Sequence, residues 1–424
     1  MRESPADVAT DHQSRTGHRA PPLTTVLAGL CVVLVAMRTE VFLTVTVGTG
    51  VALALSPVWL RTLGRYRGAR LFVVMGMVCT LVGAWLTAVA AEDRDTSTRL
   101  MITTSLILLN IAVGVGVLLW ARAHMRDPVV AMLFGAGMVL GVNTDGRFAE
   151  NPWRFGFSVP LTVLLLAAAW YTGRRTLQVV VALSLALVSA LNDGRSSFAM
   201  LLLVAVLTMW QASPGTRGRT PSRLRAVMLT TALAVALYQM GQGLILDGYL
   251  GESTQQRTAS QMAAHGSLLL GARPEAGATL ALMELRPQGY GSGTLASTQD
   301  LLAAKSGMAD LNYDPNNGYV EDYMFGAGIE LHSVAADLWV AFGAAGLAWA
   351  ALIAWQTGRH LAGALALRSA SALILYLGVR TFWNLLFSPF YSSVTLLVVA
   401  VGLMLPLVPL RPPGREPDVR AYSE

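Results

Sequence analysis

Two residues stand where a polar segment meets a membrane-length apolar one, and both have side chains fit for chemistry. Arg195 lies in Asn192-Asp193-Gly194-Arg195-Ser196-Ser197, a short polar turn between two apolar runs. Ser196 and Ser197 open the next helix, whose first amide groups lack intrahelical partners and carry partial positive charge. An arginine beside such a helix start suits a phosphate or diphosphate. The plainer reading is that Arg195 snorkels at the membrane interface or pairs with Asp193. His332 lies in Gly328-Ile329-Glu330-Leu331-His332-Ser333, immediately before another apolar run. An imidazole with an ordinary pKa of ~6.5 accepts a proton from a hydroxyl at neutral pH, which makes it a candidate general base. A histidine that caps a helix or satisfies a local hydrogen bond is the alternative. Glu330 and Asp337 flank it and could orient or tune the ring.

Arg257 and Arg273, in the polar segment before His332, are candidate anion ligands or structural loop arginines. Arg273-Pro274-Glu275 reads as a helix start, because proline is tolerated at the first helical position and an acid suits the first turn. Ala276, Thr279, Leu280 and Met283 follow at i, i+3, i+4 and i+7, an apolar stripe for lying on the bundle or the bilayer. Arg286-Pro287 ends that helix. Gly289-Tyr290-Gly291-Ser292-Gly293 reads as a flexible turn; with no strand before it, its GxG character says little of phosphate. Asp314-Pro315-Asn316-Asn317-Gly318 is not a calcium loop, since Phe325 stands where the bidentate acid should be. His124, His265 and His360 show no metal-ligand spacing, and no metal or other cofactor is expected.

These side chains must be held by a membrane fold. The chain is 54% hydrophobic and 13% charged, with a mean hydropathy of +0.52, which excludes an ordinary soluble domain. The apolar runs are about 20 residues long or somewhat shorter and lack strand alternation, so an all-α integral membrane protein is expected. Spans fall near 22–37, 41–60, 71–91, 100–120, 129–143, 155–171, 176–191, 196–211, 226–246, 334–357, 369–387 and 394–409. That gives about 12 transmembrane helices with one large extracytoplasmic loop, 247–333, between the ninth and tenth spans. Segment 22–246 forms spans one to nine and 334–409 spans ten to twelve, with cytoplasmic tails at 1–21 and 410–424.

Arginines mark one side of this arrangement. Arg61, Arg65, Arg67 and Arg70, then Arg122 and Arg126, Arg174 and Arg175, Arg217 to Arg225, and Arg359 and Arg368 fall in alternate connections. The positive-inside rule therefore puts both termini in the cytoplasm. Residues 1–20 hold no apolar core and do not read as a cleavable signal peptide. The net charge of +6 is explained by topology and anionic lipid headgroups, and no nucleic-acid partner is expected. The only cysteines, Cys31 and Cys79, fall inside spans, so no disulfide holds the loop.

The order of Arg195 opening a span, then Arg273 with residues 289–293, then His332 followed by Phe342-Gly343-Ala344-Ala345-Gly346-Leu347 resembles the O-antigen ligase and polymerase (Wzy/WaaL) superfamily. The likeness covers roughly residues 185–350, and the span count extends it to most of the chain. The resemblance implies a metal-independent glycosyltransferase of the bacterial cytoplasmic membrane. Its donor would be a glycan linked to undecaprenyl diphosphate, its acceptor another glycan or lipid, with a chain-length regulator as a further partner. Arg195 and Arg273, helped by Arg257, would clamp the diphosphate, and His332 would deprotonate the acceptor hydroxyl. A transporter or flippase of lipid-linked glycan is the competing class. It would bury charge in mid-membrane or show two related halves; the evident intramembrane ionisable residue is Arg380, and no repeat is visible. A non-catalytic scaffold would explain the loop but not the ordered Arg, Arg, His set.

Overall fold

The computed structural model describes residues 22–212, 231, 273–311, 313–316 and 318–408. The expected ninth span at 226–246, apart from Thr231, and the loop arginine Arg257 lie outside the described residues. The chain opens with α1 (Pro22–Met37), a hairpin of β1 (Glu40–Phe42) and β2 (Val45–Thr46), and two short helices, α2 (Val47–Ala54) and α3 (Ser56–Thr62). Then come α4 (Ala69–Ala90), α5 (Thr98–Arg122), α6 (Asp127–Leu140), α7 (Ser158–Tyr171), α8 (Arg175–Leu191) and α9 (Arg195–Ala212). Past residue 272 follow α10 (Glu275–Leu285), α11 (Thr298–Ala309), α12 (Val334–Ala366), α13 (Ala372–Phe387) and α14 (Phe390–Met404).

The protein is thus mostly helical, and five of the described helical stretches are long and apolar enough to cross a membrane: Ala69–Ala90, Thr98–Arg122, Trp153–Tyr171, Arg195–Ala212 and Val334–Ala366. Five shorter apolar helices stand beside them. One expected span is interrupted: 41–60 is realised as the hairpin and the pair α2 and α3. Pro57 at the start of α3 cannot donate the amide hydrogen that would continue α2. Gly48 lies so close to the α1 backbone at Leu34 that no side chain fits there, which packs α2 tightly against α1.

Helix α12 packs along both α4 and α13, and α13 also packs on α9, so α13 lies between the helix that follows His332 and the one that begins at Arg195. The ends of the bundle are fixed by chain direction. Arg175 at the start of α8 donates to the Ala370 carbonyl just before α13, and the Ala372 amide donates to Gln178 Oε1 at 2.8 Å. Helices α8 and α13 therefore start at one end. Arg195, Phe387 and His332 stand at the other.

Helix α12 is broken at Gly343, whose φ of 56° and ψ of −140° are not helical. A break inside a bundle frees backbone groups that must be satisfied by protein. Residues 289–293 do this. The amides of Tyr290 and Gly291 both donate to the Val340 carbonyl, at 2.8 and 2.9 Å. The amide of Ser292 donates to Gly83 O at 3.2 Å, and that of Gly293 to Thr87 Oγ1 at 3.0 Å. Gly291 has a φ of 107° and abuts the Thr87 backbone, where a Cβ has no room. The flexible turn expected here is therefore a buried wedge between α4 and α12, with Tyr290 fully enclosed. Its glycines serve close packing, and its amides are spent on protein.

An ionic clasp holds the same segment to the α4–α5 turn. Arg94 donates to both oxygens of Asp300, at 2.9 and 2.8 Å, and also pairs with Asp93. Arg286 donates to both Asp93 oxygens at 3.0 Å, and Arg94 lies over the Tyr290 ring at 5.3 Å. Asp300 closes a capping box with Ser297 at the start of α11. The α10 helix begins where expected but buries a different face. Gly277 meets Gly307 of α11 at backbone distance, turning Ala278 and Leu282 inward and leaving Leu280 63% exposed.

Breaking the clasp from one side should be costly, because Arg94 and Asp300 side chains are only 6% and 0% exposed. Arg94→Gln is expected to lower stability by about 3–5 kcal/mol, seen as a fall in the unfolding midpoint in detergent. Burial alone would raise the Asp300 carboxyl, but hydrogen bonds from Arg94 and Ser297 outweigh it and hold it below its ordinary 3.8. The carboxylate thus stabilises fully above pH 3.8 and fades as pH falls below that. Acid titration of the midpoint should show this loss in the wild type and not in Asp300→Asn.

Candidate functional site

Three of the four residues singled out by the sequence are described, and they stand at the same end of the bundle as Phe387 of α13. His332 is fixed through its backbone. The next residue, Ser333, caps α12 by accepting from the Ala336 amide at 3.3 Å, and its hydroxyl donates to the Leu385 carbonyl of α13 at 2.8 Å. The preceding residue, Leu331, donates its amide to Asp337 Oδ1 at 2.6 Å, while Asp337 Oδ2 accepts from Phe390 N at 2.8 Å. Asp337 therefore ties the loop to the start of α14, and both its oxygens serve the backbone. Between these two ties His332 adopts a φ of 52°, a left-handed conformation that costs an ordinary residue about 1–2 kcal/mol.

The imidazole is half-buried against the ring of Tyr319, with centroids 5.7 Å apart and planes 34° apart. Its Nδ1 is buried and has no hydrogen-bond partner among the described residues. Tyr319 is itself fixed, donating its hydroxyl to Glu275 Oε1 at 2.7 Å. Burial and the nearby Glu275 carboxylate push the Tyr319 hydroxyl well above its ordinary range, with Arg273 acting in the opposite sense. The phenol is thus a hydrogen-bonded wall for the histidine, held neutral. Glu330 also senses the site: desolvation raises its carboxyl above the ordinary value, and the charge of His332 works against that rise.

Arg273 comes to the same place from the other side. It precedes α10, whose first residue is the Glu275 that holds Tyr319. Its guanidinium lies over the rings of Trp383 and Phe387, at 5.6 and 5.2 Å, and those rings are themselves 4.8 Å apart. Aromatic faces attract the cation without consuming its N–H donors. Among the described residues no carboxylate pairs with Arg273. The arginine is thus positioned by aromatic rings rather than by an ion pair among the described residues.

Arg195 is the first residue of α9. The turn before it is tight: Asp193 has a φ of 55°, the Gly194 amide donates to Ser189 O at 2.7 Å, and Asp193 Oδ2 accepts from Arg154 at 3.1 Å. Deeper in the bundle, Met200 Sδ of α9 meets Arg380 Nη1 of α13 at 4.0 Å. At 1.5 Å per residue, Arg195 lies about 7–8 Å from that level toward the site, and Trp383 and Phe387 about 4–5 and 10–11 Å. Arg195 is therefore level with the aromatic pair that carries Arg273, one helix away.

Four residues of this constellation are not among the site residues singled out from the sequence: Glu275, Tyr319, Trp383 and Phe387. The signal for the last two was present, because Arg380, Trp383 and Phe387 follow at i, i+3 and i+7 on one face of α13. Tyr319 offered no such spacing, as it reaches His332 only through the fold of the loop. Compared with family models, curated proteins and solved structures, the chain matches none.

Replacing His332 with glycine relieves the left-handed strain and gives up a ring contact of about 0.5–1.5 kcal/mol. His332→Gly should therefore unfold within about 1 kcal/mol of the wild type, so that any loss of function it causes is chemical. Tyr319→Phe, which leaves the buried Glu275 carboxylate without its partner, should destabilise by about 1–3 kcal/mol in the same measurement.

Proposed function

We propose that this protein is a glycosyltransferase of the O-antigen ligase and polymerase type, working on the outer face of the bacterial cytoplasmic membrane. In this reading the chain has twelve spans, both termini in the cytoplasm and the 247–333 loop outside. The observation that carries it is the pairing at one bundle end of a histidine whose Nδ1 has no hydrogen-bond partner among the described residues with an arginine cushioned on aromatic rings and, among those residues, in no ion pair. The first suits proton acceptance from a hydroxyl, the second an anion.

The donor is a glycan carried on undecaprenyl diphosphate. The acceptor hydroxyl oxygen, on a second lipid-linked glycan or another lipid, attacks the anomeric carbon of the donor while the imidazole of His332 takes its proton. A new C–O glycosidic bond forms and the C–O bond to the diphosphate breaks, its electron pair leaving with the diphosphate. Negative charge grows on that leaving group, beside Arg273 and Arg195, with Arg257 as a further ligand from the loop. Fixed cations at the position of developing charge in a water-poor site account for several kcal/mol of a barrier. The proton on His332 passes to water once product leaves.

A second reading, transport of a lipid-linked glycan, draws on Arg380. Its Nε is buried without a hydrogen-bond partner among the described residues, and charged groups inside a bundle line substrate pathways.

Purified protein incubated with a polyprenyl-diphosphate-linked repeat unit, with and without separate acceptors, decides between these readings. Expected is a ladder of products or a single transfer product, lowered about 10²–10⁴-fold in His332→Ala. Arg273→Ala and Arg195→Ala should each lower turnover about 10²–10³-fold with little change in KM. Unaltered turnover in His332→Ala would sink the glycosyltransferase reading. Wild-type function lost in Arg380→Ala but kept in His332→Ala would favour transport.

A further inference from the structure

At the end of the bundle away from His332 lies a cavity of about 570 Å³. It is bounded by the start of α4, the second half of α12, the α12–α13 turn and the exit from α14. Arg359 on its wall lies 16 positions past the break at Gly343, roughly 24 Å of helix at 1.5 Å per residue, and His332 lies on the far side of that break. This cavity is a separate feature from the candidate catalytic site.

Its charges are not balanced. Arg122 is satisfied internally: it grips Asp127 through two hydrogen bonds of 2.9 and 3.0 Å and donates to the Gly402 and Leu405 carbonyls at 2.7 and 3.0 Å. Arg67 and Arg359 line the same cavity, and among the described residues no carboxylate lies within pairing distance of either. Gln356, on the same cavity wall, has a buried Oε1 with no hydrogen-bond partner among the described residues. Two guanidinium groups call for an anion, and a lone amide oxygen calls for a hydroxyl or amine donor.

The remaining walls say what carries that anion. Leu71, Trp355 and Leu367 line the cavity and are 51%, 68% and 71% exposed. Large apolar side chains on α4 and α12, two helices apolar enough to cross a membrane, face hydrocarbon rather than water when the protein is embedded. A ligand whose head meets two arginines while its tail runs along leucine and tryptophan is an amphiphile. Basic pockets between membrane helices bind lipid headgroups by this combination.

We infer that this cavity is a binding site for an acidic glycerophospholipid. The phosphodiester sits between Arg67 and Arg359, a headgroup hydroxyl donates to Gln356 Oε1, and the acyl chains cover Leu71 and Trp355. Phosphatidylglycerol carries both the phosphate and the hydroxyls that these groups require. The assignment is independent of the reaction at the other end of the bundle.

Delipidated full-length protein in a neutral detergent would be given phosphatidylglycerol, phosphatidylcholine or inorganic phosphate. The unfolding midpoint and the lipid retained in native mass spectrometry would then be recorded. Phosphatidylglycerol should raise the midpoint and remain bound, while phosphatidylcholine and inorganic phosphate do neither. The double variant Arg67→Gln/Arg359→Gln, which removes two exposed side chains without a described ion pair, should weaken retention of phosphatidylglycerol about tenfold or more. Arg147→Gln at the opposite end should leave it unchanged. Equal effects of the two lipids, an equal effect of inorganic phosphate, or undiminished retention by the double variant would each overturn the assignment.

Discussion

The rest of this structure depends on one carbonyl, that of Val340. Because α12 departs from helical geometry at Gly343, the backbone around the break needs donors from elsewhere, and within a membrane bundle water is a poor source. The amides of Tyr290 and Gly291 supply them. That requirement draws residues 289–293 between α4 and α12, and with them the helices on either side, α10 and α11. Arg273 stands before α10, and the Glu275 that positions Tyr319 is its first residue. The placement of the cation and of the histidine's neighbour thus follows from how a broken helix satisfies its own backbone.

Helix α13 is the common surface on which the site assembles. Its Leu385 carbonyl receives Ser333, and its aromatic pair receives Arg273. Its middle meets α9 at Met200. The choice of partners matters for what the site can do. A carboxylate beside Arg273 would neutralise it and occupy its N–H groups, whereas two rings hold the cation and leave its donors unspent. Elsewhere the charges are treated differently. Arg94, Arg286 and Arg122 are each spent on carboxylates or carbonyls and work as fasteners.

Helical membrane character was legible in the sequence because it rests on composition and run length, which no tertiary detail can reverse. The start of α10 at Arg273-Pro274-Glu275 and the turn before Arg195 were legible for the same reason, since caps and breakers act locally. What escaped was non-local. The interruption of the expected span at 41–60 includes the close packing of Gly48 on the α1 backbone at Leu34, a contact no run length reveals. The role of residues 289–293 depended on a partner about fifty positions away, and the inward face of α10 on a glycine in α11. Tyr319 was invisible as a neighbour of His332 because an aromatic residue in a loop has no period to betray it. Of the two acids flanking His332, Asp337 gives both its oxygens to backbone amides, which its position in the sequence does not reveal.

The clasp between Arg94 and Asp300 has a consequence for the medium in which the protein works. Dissolved ions weaken attraction between charges that water can reach, over a Debye length of about 8 Å at physiological ionic strength. A pair whose side chains are 6% and 0% exposed lies largely beyond that influence. The segment that carries the wedge therefore stays docked in dilute and concentrated salt alike, and the geometry around His332 is insulated from the changing salinity of whatever solution bathes that end of the bundle.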